Sequence, residues 1–152
     1  MRGLVVGCVV ALLGTTPVLA VDVTFTGLVA DTCTLAVPTP GVMSLSGDGK
    51  TLSSDLADGI GVPATLTIGS LGANNITVGA PAMDTYPAGY TSGSETLQLK
   101  YTGTASHAYT SSSSSFSLGI IPAASIVIDM KITNNAGFVQ GTYTAKTVVT
   151  CS

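Results

Sequence analysis

Apolar and polar positions alternate with a period of two over several short stretches of the chain, and no sustained 3.6-residue stripe is present. The cleanest stretch is ETLQLKYT (95–102), where Leu97, Leu99 and Tyr101 share one face and Thr96, Gln98 and Lys100 the other. SIVIDMKIT (125–133) repeats it, with Ile126, Ile128, Met130 and Ile132 inward and Asp129 and Lys131 outward. Each reads as a half-buried antiparallel strand. A turn is expected at Asn134–Gly137. FVQGTYTAKTVVTCS (138–152) then reads as one final strand, placing Tyr143, Ala145, Val149 and Cys151 on one face with Thr147 among them. At the other end, VDVTFTGLVADTCTL (21–35) puts Val21, Val23, Phe25, Gly27 and Val29 on one side. Asp31 falls on this otherwise apolar face and marks a bulge or a boundary. Weaker strands are expected at 64–69, 75–79 and 116–121. Segments 46–60 and 81–94 read as surface loops, and Ser111–Ser115 as a polar loop or a loosely held edge. About seven short strands separated by turn signals predict an all-β sandwich of two antiparallel sheets.

The first twenty residues stand apart from that pattern. Arg2, the apolar run GLVVGCVVALL (3–13) and Val18-Leu19-Ala20 have the anatomy of an export signal, with cleavage expected after Ala20. The run is too short to span a bilayer. Val5-Val6-Gly7-Cys8 leaves lipidation at Cys8 as the other reading. Residues 21–152 amount to a single domain, large enough to bury a core. That part holds four lysines and eight acids with no arginine, a formal charge of −4. A binder of nucleic acid or of anionic membrane needs a basic stripe, and neither partner is expected here. Charged residues make up only 9% of the chain, which suits strands wet on one face and packed on the other better than a disordered chain.

Two cysteines remain beyond the export signal, Cys33 and Cys151. In an oxidising compartment an even pair reads as a disulfide, here tying the first strand to the last, and two separate buried thiols are the alternative. His107 is the only histidine and sits in TGTASHAYTS, which looks like a turn; no G-x-S-x-G elbow accompanies it. Asp48, Asp55 and Asp58 share a glycine-containing loop, but their spacing departs from a calcium loop and no glutamate closes it, so a solvated acidic loop is expected. Asn75-Ile76-Thr77 fits a glycosylation sequon, relevant only to a eukaryotic export route. No catalytic residue, cofactor or metal site is expected, and the chain does not read as an enzyme.

The two ends carry a resemblance. Val23-Thr-Phe25-Thr-Gly27-Leu-Val29 followed by Cys33-Thr34-Leu35, together with Gly141-Thr-Tyr143-Thr and Thr147-Val-Val-Thr150, is similar to the ends of chaperone–usher pilus subunits, the archaic spore coat protein U-like pilins included. The resemblance implies an incomplete immunoglobulin-like antiparallel β-sandwich, completed by a donor strand from elsewhere. Residues 1–20 would be the signal peptide, 21–31 the donor segment with Val21, Val23, Phe25, Gly27 and Val29 facing the groove, and 32–152 the pilin domain. Tyr143, Ala145 and Val149 would form a groove-edge strand. The partners implied are copies of the same or a related pilin, a periplasmic chaperone and an outer-membrane usher. Such a subunit is exported through the periplasm to a surface fibre serving adhesion or biofilm formation, with no membrane insertion after signal cleavage. The alternative is a secreted monomeric β-sandwich that binds a carbohydrate or surface partner through Tyr86, Tyr90 and Tyr109 in loops.

Overall fold

Strand β10 (Ala124–Thr133) forms the axis of the molecule because its alternation gives it an apolar face and its length gives it two long edges. Along one edge it pairs with β7 (Thr96–Gly103), from Ile126 opposite Gly103 to Thr133 opposite Thr96. Its other edge is divided. The first half pairs with β4 (Ala64–Leu71) and the second with the short β3 (Thr51–Ser53). The sheet extends outward from these to β1 (Thr32–Thr39) beside β4, β2 (Ser44–Leu45) beside β3, and β8 (His107–Thr110) beside β7. The computed structural model describes residues 24, 26, 32–57, 59–121 and 123–152. The expected donor positions Val21, Val23, Phe25, Gly27 and Val29, with Asp31, Asp58 and the export signal, lie outside them.

A second group of strands faces this sheet. β5 (Asn74–Val78) lies between β9 (Ser114–Leu118) and β12 (Val149–Cys151), while β6 (Ala82–Thr85) pairs with β11 (Thr144–Lys146). The two pairs follow one another along the same two stretches of chain, joined by a kink. There Gly79 N–H donates to the Val148 carbonyl at 2.8 Å, and a Cβ on Gly79 would lie 2.9 Å from that oxygen. Every ladder among the described residues is antiparallel, giving an all-β, sandwich-like fold. Leu66 and Ile68, Ile76 and Val78, Leu99 and Tyr101, Leu118, Ile126 and Ile128 meet between the layers as one buried cluster. These are inward positions of alternating strands, so burial and backbone pairing select the same register.

Several local expectations are corrected. The final strand is broken: only Thr144–Lys146 and Val149–Cys151 are strand, and Val148 at the kink is 65% exposed. Alternation nonetheless survives the break, with Tyr143, Ala145, Thr147, Val149 and Cys151 half-buried and the residues between them exposed. The expected strand at 116–121 is shifted to Ser114–Leu118, leaving Ile120 77% exposed, because pairing with β5 from Ser114 opposite Val78 outweighs the low strand preference of serine. The 46–60 and 81–94 loops contain β3 and β6, whose backbone groups find partners that local sequence does not reveal. His107 lies in β8 rather than in a turn, with its ring 5.7 Å from that of Tyr101. Pro38 lies within β1, where a missing N–H is tolerated because β1 is an edge strand, and the register slips between Ala36 and Thr39.

Asp129 faces outward as its alternation requires, yet it is only 7% exposed. Ser54 Oγ donates to it at 2.9 Å, and Lys100 Nζ stands 3.7 Å away while pairing with Asp55 at 2.5 Å. The ring of Tyr109 completes this cover, with Lys131 and Lys100 4.1 and 5.0 Å from its centroid. Its hydroxyl has no hydrogen-bond partner among the described residues, and burial pushes it up to about 12. Burial works to raise the Asp55 carboxyl, but hydrogen bonds from Lys100 and Ser53 outweigh it and hold the group at about 2, against an ordinary 3.8. A carboxyl depressed on folding stabilises the fold above its unfolded value and loses that contribution as pH falls through the folded one. The urea midpoint should therefore drop between about pH 4 and pH 2, and Asp55→Asn should flatten that part of the profile. An unchanged profile would show that the pair contributes nothing in solution.

Candidate docking groove

The groove begins with β1, whose apolar side chains the other described residues leave uncovered. β1 pairs with β4 along one edge only, and its other edge has no partner among the described residues. Val37 in this strand is 59% exposed, and Leu35 is exposed as well. On the opposite side, β11 and β12 pair with β6 and β5 and leave their far edges likewise unpaired among the described residues. Two strand edges with open N–H and C=O groups thus flank an apolar interior.

Between them runs a groove of about 330 Å³, its walls mostly apolar: Val37 and Met43 from the first stretch, Leu66, Ile128 and Met130 from the floor, Ala145 and Val149 from the last stretch. It adjoins a second hollow of about 420 Å³ that shares Gly41, Met43 and Ala145 and continues to Leu52 and Tyr143. The stretch 37–43 and the stretch 149–141 run along it in opposite directions. The half-burial of Ala145 and Val149 follows: they line a space that the described residues do not fill.

One end of the groove is closed covalently. Cys33 and Cys151 form a disulfide with Cα atoms 6.4 Å apart, joining β1 to β12. Stacked sheets ordinarily lie about 10 Å apart, so the layers converge at this corner. The open end lies toward Val42 and Tyr143.

The residues expected at the groove edge fall in two settings. Ala145 and Val149 line the main groove. Tyr143 lines only the adjoining hollow, and its ring stands edge-on to Tyr90 and Phe138 at 5.1 and 5.2 Å while its hydroxyl donates to the Val139 carbonyl. Asn134 Nδ2 donates to the Tyr90 hydroxyl, so this aromatic cluster anchors the last loop to the 86–90 segment. The structure brings Tyr86 and Tyr90 to 5.5 Å, whereas Tyr109 sits in β8 beneath two lysines. Tyr86, at 46%, is the exposed member of that pair.

Sequence reasoning overlooked Val37, Met43, Leu66 and Met130 as groove walls. The available signal was Leu35-Ala-Val37 running into Pro38-Thr-Pro40: an alternating apolar segment ending in prolines marks an edge strand. The aspartates of the 46–60 loop have local roles, Asp48 accepting hydrogen bonds from Ser46 Oγ and Lys50 N–H within its turn, Asp55 pairing with Lys100. Comparison with protein-family models, with curated proteins and with solved structures finds no match to this chain.

Proposed function

We propose that this chain is a structural pilus subunit that polymerises by donor-strand exchange, the segment Val21–Asp31 of one copy filling the groove of the next. The observation that carries the reading is an apolar groove flanked by two strand edges that lack partners among the described residues. Unpaired edges recruit strands, and uncovered apolar walls favour any segment that removes them from water. An extended segment with alternating apolar residues meets both demands, its backbone completing the ladders and every second side chain entering the groove. Val21, Val23, Phe25 and Val29 would each contribute roughly 1.5–3 kcal/mol on full burial. Gly27 suits a point where the groove leaves no room for a side chain.

On this reading the domain is an incomplete immunoglobulin-like sandwich, exported after cleavage behind Ala20. A periplasmic chaperone covers its groove until an usher passes it to the growing fibre. The test uses residues 21–152 and the same chain without Val21–Gly27. The longer chain is expected to form SDS-resistant multimers. The shortened one should form none and should gain thermal stability from an added peptide of residues 21–31. Stable monomers from both chains would overturn the proposal and favour a monomeric binding module with Tyr86 at its surface.

A further inference from the structure

We infer that the Cys33–Cys151 disulfide is the stop that fixes the direction, depth and register of the incoming strand; the inference rests on the donor-strand reading, cleavage after Ala20 included. A strand inserted between two others needs about 4.7–4.9 Å to each neighbour, so its flanking strands must stand roughly 9.5 Å apart. At the disulfide β1 and β12 are held with Cα atoms 6.4 Å apart. No strand passes between them. An occupant of the groove therefore stops short of Cys33 and Cys151, and its link to a neighbouring body leaves by the open end, toward Val42 and Tyr143.

This geometry dictates which end of the donor leads. The donor of a second copy is attached to that copy's body at Thr32, where β1 begins, so the body stays at the open end and the free amino terminus goes in first. Val21 then lies deepest, beside Val149, and the strand runs parallel to β1 and antiparallel to β11 and β12. The last stretch lines the groove and its adjoining hollow from Val149 back to Gly141, Val148 apart. Counted back from Val149 in register, Val21–Gly27 spans seven of these nine positions, which places Phe25 near Met43 and Ala145 and brings Gly27 to the ring of Tyr143. Leu28–Asp31 remain as the link between subunits, spanning at most about 14 Å when fully extended, so on this register Val29 leaves the groove-facing set and only Val21, Val23 and Phe25 are buried in it.

The test extends the amino terminus of the chain 21–152 by Val-Thr-Val-Thr, which keeps the alternation but adds length where the stop stands. SDS-resistant multimers should fall at least tenfold in the oxidised protein, and Cys33→Ser together with Cys151→Ser should restore assembly of the extended chain. A second measurement leaves both cysteines in place: a photoreactive p-benzoylphenylalanine at position 21 or 25 of the unextended chain, with cross-links mapped by mass spectrometry. Position 21 should mark the Leu66 and Val149 end of a neighbouring copy, and position 25 the Met43 and Ala145 region. An extension tolerated by the oxidised chain, or cross-links in the reverse order, overturns the stop while leaving donor exchange standing. No intermolecular cross-link from either position, with no multimers from the unextended chain, overturns the donor reading and the stop with it.

Discussion

Replacing Cys33 and Cys151 together by serine should lower the unfolding free energy by roughly 4–5 kcal/mol, the chain-entropy value for a loop of this size. The bond spans 118 residues and joins nearly the first described strand to the last, so cutting it frees almost the whole domain in the unfolded state. β1 and β12 hold their places through β4 and β5 and have no ladder between them, so the bond is the direct tie across that corner. Domains of ordinary stability have about 5–15 kcal/mol in total, so the variant should be marginal at 37 °C. Denaturant titration of the oxidised protein and the double variant measures the difference. A loss below about 1 kcal/mol would mean that the unbonded chain keeps the corner closed by packing alone.

The second large effect concerns assembly rather than stability. Val37→Asp should leave the monomer's urea midpoint nearly unchanged, because a side chain 59% exposed contributes little to the folded state and surface substitutions usually stay within about 0.5 kcal/mol. It should nevertheless cut SDS-resistant multimers at least tenfold, since the inserted strand would bury an unpaired carboxylate, at a cost of several kcal/mol on the order expected for buried charge. Val37→Ile, which keeps the wall apolar, should assemble normally. Multimers that persist in the aspartate variant would place the donor elsewhere on the surface. The contrast between an unaffected fold and a lost polymer is informative because the core substitutions that also abolish assembly would unfold the domain.

The fold class was legible because β7 and β10 obey period-two alternation over their whole length. Leu99, Tyr101, Ile126 and Ile132 are buried, as their spacing requires. The disulfide was legible for a different reason: beyond the expected export signal only two cysteines remain, one near each end, and an even pair has few alternatives. Legibility failed where pairing is non-local and the sequence weak. Ser114–Leu118 becomes strand only because β5 offers its edge, and the final strand breaks at Thr147 and Val148 only because Gly79 kinks opposite them.

The site divides along the same line. Sequence alone determined an all-β chain with alternating ends and scant charge, and made Cys33 and Cys151 the expected pair, because periodicity and composition act locally and can be counted. Only the tertiary structure decided that Val37, Met43, Ala145 and Val149 share one groove that the other described residues leave uncovered, that Asp129 is buried on an outward face, and that Cys33 and Cys151 are bonded beyond one end of that groove. Alternation specifies which face of a strand is apolar. Which edge lies unpaired, and what stands across from it, follows from the order in which distant strands assemble.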